Sequence, residues 1–250
     1  SIVTDATGEA AADGMKMDTF LSHAQRLMTN QLNAYVQDGT GVDATKVDNI
    51  GADGKIFKKF NTAQDHKRVG EGDREKNTGG MGAYSPSGLI NAELDKKIIT
   101  EIVNPTFEAI KDMGESYKGF LYVGLMIKNN KPYLIEYNVR MGDPECQTIL
   151  PLLATDLLDL ILSCCEETLE NQNILWEEKK SMCVVLCSNG YPDIFKKNIE
   201  IPNIEKIKNN DSFFIYHAGT KKKDNQVYAN GGRVLNFVSI SDNLKSSREK

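Results

Sequence analysis

The chain has 250 residues, 40% of them hydrophobic and 26% charged, with a formal net charge of −5. That length supports one large or two modest domains with a proper core. The acidic balance argues against a nucleic-acid surface, and no apolar run approaches the ~20 residues that a membrane span needs. The longest such run, around Leu157–Cys165, contains Asp159 and reads as a buried helix. No basic, apolar and small-residue signal segment opens the chain. None of the five cysteines (Cys146, Cys164, Cys165, Cys183, Cys187) forms a C-x-x-C pair. Reduced core thiols in a cytoplasmic protein are therefore expected.

In chain order, residues 1–50 are rich in Ala, Asp, Gly and Thr and show one helical pattern, Phe20–Leu32, with Leu21, Ala24, Leu27 and Met28 on one face. Residues 51–172 read as α/β. Leu94, Ile98, Ile102 and Phe107 follow helical spacing, and Pro105 should kink or split that helix. Gly119–Ile127 and Pro132–Val139 read as strands joined by a tight Asn129-Asn130 turn. Asp143-Pro144-Glu145 reads as a helix start with Asp143 as cap, and Thr155-Asp156 as the cap of a second helix, Leu157–Leu169. The polar stretch Asn171–Lys180 reads as a linker. Residues 173–250 are β-rich, with strands at Met182–Cys187, Phe213–Tyr216 and Arg233–Val238 and turns at Asn189–Pro192 and Asn230–Gly232. Ser246–Lys250 reads as the beginning of a helix.

Two stretches carry chemistry. On a strand Glu136, Asn138 and Arg140 share one face, opposite Ile135, Tyr137 and Val139. The first two are hard oxygen donors suited to Mg²⁺ or Mn²⁺, and Arg140 offers a fork for phosphate oxygens. A solvated face with an ordinary salt bridge is the competing reading. The turn Gly142–Glu145 that follows favours a ligand site. The second stretch joins Gln64-Asp65-His66-Lys67-Arg68-Val69 to Asn77-Thr78-Gly79-Gly80-Met81-Gly82. Three glycines in four positions let backbone N–H groups approach an anion, and Lys67 and Arg68 add charge. A flexible turn beside a solvated charge run is the alternative. His217, in an expected strand, reads as structural.

The strings QDHKRVG, NTGGMGAYSP, GFLYVGLM, IEYNVRMGDPECQ, HAGT and NGGRVL occur in the order found in glycinamide ribonucleotide synthetases (phosphoribosylamine–glycine ligases). Over Gln64–Leu235 the chain resembles the carboxy-terminal part of that family. The resemblance implies an α/β (α+β) chain with a partial ATP-grasp fold, followed by a small β-rich domain. Residues 1–50 would be a diverged remnant of the small ATP-grasp lobe, 51–172 the large lobe with the metal and substrate site, and 173–250 a truncated carboxy-terminal domain. It implies ATP-dependent joining of glycine to 5-phosphoribosylamine in purine biosynthesis, through a glycyl-phosphate. Glu136 and Asn138 would hold Mg²⁺ or Mn²⁺, and Arg140 would stabilise the transferring phosphoryl group. Asp65, Lys67, Arg68, Asn77, Thr78, Gly79, Gly80, Met81 and Gly82 would bind and enclose the substrates, with Asp143 and Glu145 beside them. Small-molecule substrates, no nucleic acid, no membrane and a monomer are expected.

The resemblance fades toward the start. Two lysines that neutralise ATP phosphates in the family correspond to Asp5 and Asp13, which reverses the local charge. The family's amino-terminal nucleotide-fold domain has no counterpart here, and the family continues past Lys250. An incomplete chain is thus expected, with a non-catalytic, ligand-binding ATP-grasp remnant as the alternative to an active ligase. A biotin carboxylase-like ligase is disfavoured by the DHKRV and NTGGMGAYSP strings.

Overall fold

A computed structural model describes residues 44–72 and 74–249, with side-chain environments from residue 50 onward. The helix expected at Phe20–Leu32, and Asp5 and Asp13, lie outside the described residues. The described residues form two compact units, each built from discontinuous segments. One takes residues 44–60, Gly88–Met141 and Leu157–Gln172, and the other takes residues within 61–87, Gly142–Asp156 and 173–249.

The first unit is an antiparallel sheet covered by helices. Ala44–Asp53 pairs with Lys118–Lys128 over its whole length, and Lys118–Lys128 pairs in turn with Lys131–Asn138. The expected hairpin is present. Asn129 and Asn130 close it at φ 50° and 56°, the left-handed pair that a two-residue turn needs. Apolar residues of the sheet (Leu121, Val123, Leu125, Ile127, Leu134) meet Leu94, Ile98, Ile102 and Val103 in one buried cluster.

Asn91 caps the covering helix, its Oδ1 accepting from the Leu94 N–H at 2.8 Å. The helix is split as Pro105 requires, into Ala92–Ile98, a π-helical turn Ile99–Val103, and Asn104–Asp112 with the proline in its first turn. Proline has no N–H to give and its ring displaces the preceding carbonyl, so the ladder widens and the Asn104 N–H reaches Ile99 O. The helix beginning at Leu157 ends at Glu166, three residues short of the expected Leu169. Glu167 takes a positive φ of 60°, and a 3₁₀ turn, Leu169–Asn171, follows.

Asp53 fixes the turn below this sheet. It is 1% exposed. Its Oδ1 accepts from the N–H groups of Lys55 (2.9 Å) and Ile56 (2.8 Å), and its Oδ2 from Leu169 (3.1 Å). Burial pushes the carboxyl up, but the Ile56, Lys55 and Leu169 hydrogen bonds and the Lys55 charge outweigh it and hold it below its usual 3.8. A carboxyl depressed by folding stabilises the fold above its unfolded pKa, and that contribution is lost as pH falls through the folded value. Stability should therefore decline below about pH 4, the range in which an ordinary aspartate protonates. Asp53→Ala should cost roughly 2–4 kcal/mol at neutral pH and flatten that acid limb. Denaturant melts of both proteins at pH 7 and pH 3 check this. An unchanged acid limb in the variant would refute the assignment.

The second unit is a twisted antiparallel array. Ala63–Asp65, Gly82–Ser85, Lys180–Cys187, Arg233–Ser241 and Phe213–His217 pair in that order. A small sheet, Ile199–Glu200, Gln226–Ala229 and Thr220–Lys223, and a hairpin, Arg68–Gly70 with Arg74–Asn77, complete it. The three expected strands and both turns are present. The hairpin Thr220–Lys223/Gln226–Ala229 was not expected, although Asp224-Asn225 at its tip is a turn pair with φ 48° and 62°. The expected linker is tied down: Glu177 N–H donates to Leu152 O, and Thr155 Oγ1 accepts from Leu175 N–H at 2.7 Å. The terminal helix spans Leu244–Glu249, with Asn243 Oδ1 accepting from Ser246 N–H.

The five cysteines are free thiols. Burial pushes Cys146 up to about 11 and Cys183 up to about 12, so both stay protonated at neutral pH.

Candidate active site

The first unit carries the acidic face. In Lys131–Asn138, Glu136 pairs with Gly124 and Asn138 with Tyr122, while Tyr137 pairs with Val123. Tyr137 packs against the apolar cluster, and its hydroxyl meets Thr106 Oγ1. Glu136 and Asn138 therefore share the opposite face, as the alternation predicts. A bulge between Gly124 and Leu125 leaves Ile135 without a partner. The Glu136 side chain then lies across Gly124, where an added Cβ would come within 2.9 Å of Glu136 Cγ. Glycine is what leaves room for the carboxylate there.

Arg140 does not share that face as a strand residue. The strand ends at Asn138, and Arg140 sits exposed in the bend beyond it, its Nη1 donating to Met141 O at 2.9 Å. Alternation carries a side chain to a face only while the ladder lasts, and here it stops one pair too early.

The second unit carries the cationic group and the glycine loop. Asp65 ends Ala63–Asp65 with its side chain 1% exposed, and the Lys67 ammonium lies 2.7 Å from its Oδ2. Burial pushes the Asp65 carboxyl above its usual value even against the Lys67 charge. Arg68 is spent across the hairpin, donating to Glu75 O at 2.6 Å, and stands in register with exposed Asn77. Glu145 opens the short helix Glu145–Ile149 and is 1% exposed.

The loop's N–H groups do not form an open cradle. Thr78 N–H donates to Lys67 O (2.7 Å), Gly79 N–H to the Tyr191 hydroxyl (3.1 Å), Gly80 N–H to Thr78 Oγ1 (3.0 Å) and Met81 N–H to His66 O (2.8 Å). The glycines instead allow close approach. Gly80 has φ 114°, and an added Cβ would stand 2.5 Å from Pro144 Cδ and 3.1 Å from both Asp143 O and Asp65 Oδ1.

Asp143 is not a helix cap. The cap position falls on Pro144, which offers no side-chain hydrogen bond. Asp143 Oδ1 accepts from Gln147 Nε2 at 2.9 Å, and its Oδ2 lies 3.3 Å from Arg233 Nη2.

Arg233 is the residue that sequence reasoning passed over. Its Nη1 donates to Gly79 O (2.9 Å), Gly80 O (3.4 Å) and Asp143 O (2.9 Å). One guanidinium thus fastens the glycine loop to the Asp143 turn. The available signal was an arginine immediately after the Asn230-Gly231-Gly232 turn, within a string already noted. Tyr191 was missed too, because a tyrosine in a Gly-Tyr-Pro turn reads as punctuation. Arg233→Ala should lower stability by about 1–3 kcal/mol, since three backbone carbonyls lose their donor. Arg233→Lys should recover less than half of this, because one ammonium cannot serve both the carbonyls bound by Nη1 and the Asp143 carboxylate bound by Nη2. Urea melts decide it, and full recovery by lysine would argue against the forked arrangement.

Two family models match the chain in sequence. Phosphoribosylglycinamide synthetase, ATP-grasp (A) domain, matches residues 43–146, and phosphoribosylglycinamide synthetase, C domain, matches 181–250. Together they span well over half of it. The chain belongs to the phosphoribosylglycinamide synthetase family. It is 37% identical to a phosphoribosylamine–glycine ligase of Fusobacterium nucleatum over 259 aligned residues, covering 100% of this chain and 61% of the relative. Against the enzyme of that name from Caldanaerobacter subterraneus it is 44% identical, covering 79% of this chain and 46% of the relative. The solved phosphoribosylamine–glycine ligase of Thermotoga maritima superposes with a TM-score of 0.73 at 31% identity, over 84% of this chain and 51% of that one. The chain thus spans about three-fifths or less of the length of these family members. The mixed α/β architecture expected from the sequence holds, with its sheets antiparallel. Among the described residues no helix is long and apolar enough to cross a membrane.

Proposed function

We propose that this chain belongs to a ligase that joins glycine to 5-phosphoribosylamine while ATP is cleaved to ADP and phosphate, giving glycinamide ribonucleotide for purine biosynthesis. The supporting observation is that the ATP-grasp match, residues 43–146, contains every proposed site residue. In this reading residues 1–50 are a remnant of the small lobe, 51–172 the large lobe and 173–250 the carboxy-terminal domain.

Glu136 and Asn138 would hold the divalent cation, Mg²⁺ or Mn²⁺. Their donor set fits: two hard oxygens from one strand face. Among the described residues no group of three or more His, Cys, Asp or Glu side chains gathers around one point. Mg²⁺ is commonly held by one or two carboxylates together with substrate phosphates, and Glu136 would be such a carboxylate. When bound, the cation would neutralise phosphate charge. Arg140, exposed at the strand end, supplies a further positive charge for a phosphoryl group. Lys67, held by buried Asp65, presents its cation beside the glycine loop. In this reading Arg68, Asn77, Thr78, Gly79, Gly80, Met81, Gly82, Asp143 and Glu145 belong to the substrate-binding residues of the second unit, the loop as a packed turn and not as an open anion cradle.

The test is ADP release with ATP, Mg²⁺ and 5-phosphoribosylamine. Release is expected to depend on glycine and to fall about 100-fold in Arg140→Ala. Release that follows bicarbonate instead of glycine, or an unaltered Arg140→Ala rate, would overturn the assignment.

A further inference from the structure

The second unit holds a cleft whose lining includes neither Asp65, Arg233 nor any residue of the glycine loop. Its volume is about 630 Å³, within the ~300–1,000 Å³ typical of small-molecule sites. The floor is apolar. Ile204 and Ile215, each 8% exposed, and Val227 form the open edge of a buried cluster that continues through Ala229, Val234 and Leu235. The rim is polar, with the two cations Lys208 and Lys222 against the carboxylate of Glu205, and with His217 and Thr220 beside them.

The rim side chains are placed by the fold. Thr220 and Lys222 lie two apart on one strand, so both face the side where Lys222 stands opposite Val227 in register. His217 Nδ1 lies 3.0 Å from Thr220 Oγ1, which fixes the imidazole at the rim. Asn209 Oδ1 accepts from Ile215 N–H at 2.9 Å and holds the segment carrying Lys208 against the strand below it. The chain as a whole is acidic, at −5. A pocket with two lysines and one carboxylate runs against that background. Lysines on an edge strand such as Thr220–Lys223 also deter edge-to-edge pairing, but that role does not account for an apolar floor beneath them.

We propose that this cleft binds a small amphipathic anion, a phosphate or carboxylate joined to a short apolar body. The oxyanion meets Lys208 and Lys222, and the apolar body covers Ile204, Ile215 and Val227. The site stands apart from the ligase reading and does not depend on it. An occupant also touches a segment linked to Arg233, because Gly219 N–H, between His217 and Thr220, donates to Arg233 O at 2.9 Å.

Hexyl phosphate is the probe, titrated into the purified chain and followed by methyl NMR. Saturable shifts at the Ile204, Ile215 and Val227 methyls are expected. The double variant Lys208→Glu/Lys222→Glu alters only exposed side chains and should keep the parent melting temperature while binding about tenfold or more weakly. Inorganic phosphate and hexanol, each carrying half of the recognition, should each bind at least about tenfold more weakly than hexyl phosphate. Shifts that do not saturate, that fall elsewhere, or that persist unchanged in the double variant would overturn the site. Inorganic phosphate binding as tightly as hexyl phosphate would overturn the role of the apolar floor.

Discussion

Gly80→Ala is expected to be among the most destabilising single substitutions in the second unit, at about 3–5 kcal/mol. Two costs combine. At φ 114° an L-residue is strained wherever it is placed. Its Cβ would also stand 2.5 Å from Pro144 Cδ and 3.1 Å from Asp143 O, and neither atom belongs to a flexible side-chain end that can swing away. Relief requires the loop and the Asp143 turn to separate, which breaks the Arg233 hydrogen bonds to Gly79 O and Asp143 O. At roughly 2–4 °C per kcal/mol for a chain of this size, the melting temperature should fall by about 10 °C. Gly88→Ala is the control. An added Cβ there meets nothing within 4 Å, so the change should stay within about 0.5 kcal/mol. Equal melting of the two variants would show that Gly80 is not the tight point it is described to be.

The second large effect concerns the cation. Glu136→Ala should weaken Mn²⁺ binding about 100-fold or more while the circular dichroism spectrum and melting temperature stay near the parent's. The reason is charge. Asn138 alone offers a neutral oxygen, which cannot hold a divalent ion against water. The fold should survive because Glu136 faces away from the buried cluster that Tyr137 and Val123 join, and its removal opens no core cavity. Electron paramagnetic resonance of Mn²⁺ titrated into both proteins measures this directly. Unchanged affinity in a folded variant would remove the metal assignment.

Much of the local structure was readable because local physics sets it. The Asn129-Asn130 hairpin, the break at Pro105 and the strand at Lys180–Cys187 each follow from a turn propensity, a missing donor or an alternation. The short strands around the glycine loop were not readable. Arg74–Asn77 is exposed at every position, so no apolar alternation marks it. Glu136 and Asn138 were legible as a pair, because two residues apart on a strand means one face. Arg140 was not, because the end of a ladder depends on the neighbouring strand and not on the residue itself.

The sequence by itself determined the family, through ordered strings that survive over Gln64–Leu235, and with it the residue types available for the chemistry. It also determined the helix break, the Asn129-Asn130 hairpin and the shared face of Glu136 and Asn138, since backbone sterics act within a few residues. Only the tertiary structure decided what the glycines and cations do. The loop's N–H groups are consumed by Lys67 O, Tyr191, Thr78 and His66 O, and Gly80 serves packing against Pro144. Arg233 becomes the fastening of that loop from 154 residues away in the chain. Such assignments depend on which distant segments meet, and a hydrogen bond between residues far apart in sequence leaves no local pattern to read.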